Sequence, residues 1–280
     1  QKKVYEKINF VEHTLDSGIV SDIENKKNEI TQIIKSFENG AQQLIYLISN
    51  FLPITKKELA SRLELQKNSL LDIVNEILYN DDGTIKYESA YATKEETKQV
   101  KISKILLLDL KVKTYILLLP FIVNTKIDEN LKSVLASISE NNLFIPTERK
   151  SIINKIILDG VNNNIRKALY DLIPQFEYGL TNYLKSNGLY PIMYRGSNKV
   201  LVDLNHILTS NKSKNKYRDQ IVSIIGENLT LELEYLLCNK YFGNLRNINY
   251  HSGYRELDQC SIYEAAAFYF ILEAYCLGCE

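Results

Sequence analysis

No apolar run in this chain is long enough to span a bilayer. The two most apolar segments, "ILLLDL" (105–110) and "YILLLPFIV" (115–123), are separated by Lys111 and Lys113, and the second contains Pro120. A spanning helix needs about 20 predominantly apolar residues, so no membrane partner is expected. The start, "QKKVYEKINFVEHTLD", lacks the apolar centre of a secretory signal. It begins with Gln1, not Met, so the chain is expected to be a fragment or to lack a disordered start. Four cysteines in 280 residues are too few for a disulfide scaffold, and a reducing cytoplasm is the expected compartment. Net charge is also missing, because 34 Lys and Arg balance 34 Asp and Glu. Any nucleic-acid contact must therefore come from a local patch. Tryptophan is absent while Lys, Asn, Ile and Tyr abound, a bias that AT-rich coding explains. There is no glycine-rich phosphate loop, no H-E-x-x-H, no nucleophile elbow and no internal repeat. No cofactor is expected. Cys276 and Cys279 form C-x-x-C, but at the end of an apolar helix and with Cys238 and Cys260 at irregular spacings. They are read as packing thiols, and no metal is expected.

What is present is helical periodicity. Ile23, Ile30, Ile33, Ile34 and Phe37, then Leu44, Ile45, Leu47 and Ile48, mark two helices divided by Asn39-Gly40. Thr55 with Glu58 three residues on has the capping-box spacing, and a further helix is expected over Gln66–Leu78. Asp82-Gly83 then marks a hairpin turn before Ile85 and Tyr87. Helix, helix, helix, hairpin is the order of a winged helix-turn-helix, which 41–95 resembles generically. DNA reading there is disfavoured, since Lys67 is the only cation of the would-be recognition helix beside Asp72 and Glu76. Residues 100–145 read as helical, with Pro120 ending or kinking one helix, and "ENNLFIPTERK" (140–150) as a joint. Residues 151–186 give long amphipathic helices broken by "NNN" and by Pro174. A polar, basic loop follows at 206–219, then one helix over 219–240. The apolar helix 261–278 is capped by Ser261 with Glu264. The fold class is all-α: a helical region over 1–144, and a C-terminal helical domain over 145–280.

Chemistry concentrates in "NLRNINYHSG" (244–253). It brings Arg246, Asn247 and one of only three histidines, His251, within six residues, between Gly243 and Gly253. The glycines suit chain reversal. On a continuous helix Arg246 and His251 lie roughly 140° apart, so a shared site needs a helix end between them or a second copy. A guanidinium can hold a phosphate, and an imidazole can move protons near neutrality. Together, without carboxylates or metal ligands, they suit RNA phosphodiester cleavage by the substrate's own 2′-hydroxyl. Tyr250 and Tyr254 can stack on bases, and Lys212, Lys214, Lys216 and Arg218 can track an RNA backbone. Glu177 reads as a core-pairing or helix-surface residue, with a third polar place in the site as the alternative, His206 reads as a surface histidine, and His13 has no companion. The alternative for the cluster is structural, with Arg, Asn and His satisfying backbone carbonyls.

R-N-x-x-x-H at Arg246–His251 resembles the R-x4-6-H signature of the HEPN superfamily of helical bundles. More narrowly, the stretch is similar to the L-R-N-x-x-x-H-G signature of a bacterial family named only as a domain of unknown function. The similarity covers about 145–278 and includes the L-[IL]-P-x-[IF]-E core at Leu172–Glu177. It implies an active site of Arg246, Asn247 and His251, with RNA as partner. It also implies a homodimer through the C-terminal half, to which the apolar 261–278 helix lends itself. The activity implied is that of a metal-independent endoribonuclease of a toxin or antiviral defence system. Two departures stand out: Ser252 separates His251 from Gly253, and Thr181 stands where an arginine is expected four residues beyond Glu177. Some HEPN domains are non-catalytic modules for dimerisation, RNA binding or protein interaction, so that reading, with a protein partner or regulator, stays open.

Overall fold

The computed structural model describes residues 17–65, 77–79, 85–195, 198–209, 215–251 and 260–279. It is all-α apart from two small hairpins. In order come α1 (Ser17–Ser36), α2 (Gly40–Asn50), α3 (Lys56–Leu65), β1 (Ile77–Tyr79), β2 (Ile85–Glu88), α4 (Lys94–Lys113), α5 (Leu119–Asn124), α6 (Glu129–Glu140) and α7 (Lys150–Asp159). Then follow α8 (Ile165–Ser186), β3 (Ile192–Arg195), β4 (Asn198–Leu201), α9 (Leu204–Leu208), α10 (Lys216–Ile225), α11 (Glu227–Leu237), α12 (Leu245–His251) and α13 (Ile262–Leu277). Each hairpin is antiparallel. Among the described residues no helix is long and apolar enough to cross a membrane.

Local chemistry sets the helix starts. Asn39 caps α2 through Gln42 N–H, and Gly40 leaves room for the Lys126 carbonyl, which an added Cβ would meet at 1.9 Å. Thr55 accepts from Glu58 N–H, Asp128 caps α6, and Ser261 with Glu264 forms a complete capping box on α13. Pro120 ends nothing. α4 widens into a π turn at Thr114–Leu118, where Leu119 N–H bonds Thr114 C=O, and Pro120 falls in the first turn of α5. There its missing N–H is not needed. Pro174 likewise fails to break α8. Leu169, Leu172, Ile173, Phe176 and Leu180 around it are all 0% exposed. At about 1.5–3 kcal/mol each, their burial outweighs the roughly 3 kcal/mol of an interior proline. The "NNN" break is real: Asn163 sits at φ 70°, in the left-handed region that Asn tolerates.

Other expectations need correction. Ile77 and Leu78, read as the end of a helix, belong to β1, while 66–76 and the Asp82-Gly83 turn lie outside the described residues. β1 and β2 pair antiparallel on either side of residues 80–84. The single helix over 219–240 is two, because Gly226 at φ 79° breaks it into α10 and α11. The β3–β4 hairpin stands where no strand was read.

The joint at 140–150 is fastened to the last helix. Asn142 donates to Tyr275 C=O at 2.6 Å and Leu143 N–H to Gly278 C=O at 2.8 Å. One core runs through both halves of the chain: Phe51 stacks on Phe270 with centroids 5.0 Å apart, and Phe121 meets Tyr269 edge-on at 5.7 Å. α13 is its axis, buried continuously from Glu264 to Tyr275. The apolar circumference that in the sequence lends itself to a second copy is covered by α4, α6, α8, α10 and α11 of the same chain.

That burial draws carboxyls inside. Glu232 and Glu273 are 2% and 7% exposed. Burial pushes both up to about 7 from an ordinary 4.5, against the nearby Lys113 charge and, for Glu232, a hydrogen bond from Ile54 N–H at 3.2 Å. A carboxyl with a raised folded pKa holds its proton in the native state while the unfolded chain has released it. Stability is therefore full below about 4.5 and falls as pH rises through 7. Glu232→Gln and Glu273→Gln are each expected to stabilise the protein at pH 8 by on the order of 1–3 kcal/mol, and hardly at pH 5. Thermal melting at the two pH values checks this; equal gains at both would contradict it.

Candidate functional site

Between α11 and α12 the backbone reverses at Gly243 and Asn244. Gly243 is required for space, not for a left-handed conformation: an added Cβ would lie 2.3 Å from the Leu236 carbonyl oxygen. Asn244 takes the left-handed turn, at φ 48°. Its carbonyl accepts from Asn247 N–H and Ile248 N–H, both at 3.1 Å, and starts α12. Asn247 Nδ2 donates to Asn244 Oδ1 at 2.7 Å. Leu245, 3% exposed, anchors the helix in the core, and Arg246 follows on the partly open side.

Arg246 faces α8. Its Nε lies 3.0 Å from Glu177 Oε2 and its Nη2 3.1 Å from Glu177 Oε1, the planar two-bond pairing that only a guanidinium makes. Both side chains are 17% exposed. Glu177 Oε1 also accepts from Leu204 N–H at 2.9 Å, so one carboxylate ties α8 to α9 and α12. Asp203 caps α9 by accepting from His206 N–H at 3.1 Å, and the same Oδ1 lies 2.6 Å from His206 Nδ1. Its Oδ2 lies 3.8 Å from Arg246 Nη1, an ion pair without a direct hydrogen bond. Burial opposes ionisation of Asp203, yet the His206 ring and backbone and the Arg246 charge hold its carboxyl below the ordinary value. Burial likewise opposes the Arg246 charge, and Glu177 and Asp203 overcome it and raise that pKa. Arg246 is therefore a fixed cation, and Asp203 a carboxylate at neutral pH.

Of the residues singled out in the sequence, the structure brings Arg246 and Glu177 together, with Glu177 in the pairing role. Thr181 is buried at 7% exposure, and Glu177 takes its cation from α12 instead of from α8. Asn247 braces the turn. His251 closes α12, but its side chain, that of Tyr250, and all of Ser252, Gly253 and Tyr254 lie outside the described residues, as do Lys212 and Lys214. Lys216 opens α10 with its ammonium 5.3 Å from the Tyr217 ring centroid. Arg218 does not belong to a solvated basic loop. It is 6% exposed, donates from Nε to Leu208 C=O at 2.9 Å and from Nη1 to Glu227 at 2.8 Å, and lies 3.8 Å from Glu234. Its place on the inner face of α10 follows from Ile221 and Ile225, three and seven residues on, both buried. Cys279 donates weakly to Ile138 and Tyr275 carbonyls at 3.5 Å, and burial pushes the Cys276 thiol up to about 12.

Asp203 is not singled out in the sequence, and His206, read there as a surface histidine, is 30% exposed and lies against Asp203. Asp203 before a short apolar run is a legible cap, but nothing local points from there to Arg246. Searches against protein-family models, curated proteins and solved structures find no match for this chain.

Gly243→Ala is expected to push α12 off Leu236 and cost about 2 kcal/mol, as overpacking does. Urea denaturation measures it; wild-type stability in the variant would contradict the close approach.

Proposed function

We propose that this chain is a HEPN-like, metal-independent endoribonuclease, serving as a toxin or in antiviral defence. The observation that supports this most is the fixing of Arg246: a half-buried guanidinium held in one orientation by Glu177 and Asp203, on a seven-residue helix that also carries Asn247 and His251. In this reading Arg246 meets a phosphate oxygen of RNA and stabilises charge on it as the 2′-hydroxyl attacks phosphorus. His251 transfers a proton, and the products are a 2′,3′-cyclic phosphate and a free 5′-hydroxyl. Tyr250, Tyr254, Lys212, Lys214 and Lys216 would contact the RNA. The roughly 140° between Arg246 and His251 on one helix favours a homodimer in which two copies of α12 complete each site. Since α13 is covered within the chain, that interface would involve the α12 surface, where Ile248 is 41% exposed.

A second reading draws on the same pair. The two-bond pairing with Glu177 satisfies Arg246 without any ligand, which suits a non-catalytic interaction module whose α12 merely seals the bundle.

Purified protein in excess chelator is expected to cleave RNA to cyclic-phosphate ends and to leave DNA, which lacks the attacking hydroxyl, intact. His251→Ala should lose about 10²–10⁴ of the rate with little change in melting. Arg246→Lys should not recover full activity, since lysine lacks the fork. Arg246→Ala is the poorer probe, because it also strands two carboxylates. RNA cleavage that is absent, or unchanged in His251→Ala, would leave the interaction module as the better reading.

A further inference from the structure

In-line attack by a 2′-hydroxyl needs two proton transfers: one off the attacking oxygen and one onto the departing 5′-oxygen. One imidazole cannot perform both in a single step. The chain has three histidines, and the geometry around Arg246 brings a second one to the cluster. Asp203 stands between Arg246 and His206, with Oδ2 toward the guanidinium at 3.8 Å and Oδ1 on His206 Nδ1 at 2.6 Å. A carboxylate on Nδ1 fixes the proton there, so in the neutral ring the lone pair sits on Nε2. Among the described residues Nε2 has no hydrogen-bond partner, and the side chain is 30% exposed. The ring is further immobilised through the backbone, since His206 N–H donates to Asp203 and His206 C=O accepts from Asn215 Nδ2 at 2.7 Å. A surface histidine with no task does not need its tautomer set by the carboxylate that also faces the candidate phosphate-binding arginine.

Resting on the ribonuclease reading above, we infer that His206 is the general base of the site and Asp203 its positioning residue. His206 Nε2 takes the proton of the 2′-hydroxyl as that oxygen bonds to phosphorus. The P–O5′ bond breaks with its electron pair leaving on O5′, and that oxygen takes a proton from the protonated His251 of the second copy. Charge on the non-bridging oxygens is met by Arg246, and solvent afterwards restores both histidines. No oxidant, reductant or metal enters the balance.

The test is single-turnover cleavage of an RNA oligonucleotide across pH 5–9 by the full chain, wild type and variants, with melting followed in parallel. His206→Gln is expected to fall by about 10²–10⁴ with unchanged melting, and to lose the acid limb of the profile, since that limb reports the base. His251→Ala is expected to lose the alkaline limb instead. Asp203→Asn keeps an effective helix cap but cannot fix the Nδ1 proton as a carboxylate does. It should fall at least tenfold, which holds the inference to account even if His206→Gln folds poorly. A wild type that cleaves while His206→Gln and Asp203→Asn match it in rate and profile would overturn this inference and leave the ribonuclease reading standing. A wild type that does not cleave RNA would overturn both.

Discussion

The whole structure is organised by one demand: α13 has no face for water. From Glu264 to Tyr275 every side chain is buried, and at about 25 cal/mol per Å² of apolar surface this run is a large, concentrated gain. The remaining helices are arranged to satisfy it. α8 packs along α13 with Phe176 against Tyr275, and Phe51 and Phe121 of the first half cover Phe270 and Tyr269. The two carboxylates near the ends of α13 are handled differently. Glu264 meets Arg166 at 3.1 Å and the Tyr170 hydroxyl at 2.7 Å. Glu273, without so close a cation, has its carboxyl pushed up to about 7 by burial.

The candidate site inherits its geometry from that packing. Phe176, fixed against α13, is followed directly by Glu177, which emerges about 100° further round α8. Glu177 then selects where α9 and α12 can sit, by accepting from Leu204 N–H and pairing with Arg246. The short α12 could not hold Arg246 in place unaided. Seven residues are too few for a helix to persist on propensity alone, so Leu245 in the core and the Arg246 pair are what secure it. Asp203, placed by the same junction, carries the orientation on to His206.

Much of the fold was legible because helix starts are written locally. Asn39-Gly40, Thr55 and Ser261 each announce a helix through a side chain acting within three residues. The breaks were harder. Pro120 and Pro174 look alike in sequence, yet one sits behind a π turn and the other is overridden by its buried neighbours. Gly226 breaks a helix whose apolar periodicity runs on through it. Gly196-Ser197 was a hairpin signal overlooked amid helices. At the site, Arg246 and Asn247 were visible as a motif, but the partner of Arg246 lies 69 residues away, and only tertiary packing brings it there. Arg218 misled because local charge density says nothing about which face of a helix points inward.

The Glu177–Arg246 pair fastens α12 to the bundle and fixes the orientation of the guanidinium. A double-mutant cycle tests it most directly: Glu177→Ala, Arg246→Ala and the combination, each measured by urea denaturation. Each single variant is expected to lose about 2–3 kcal/mol by stranding a half-buried charge, and the double variant little more than either, giving a coupling above about 1.5 kcal/mol. Losses that add to within about 0.5 kcal/mol would contradict the account, because the two side chains would then not be acting as a pair.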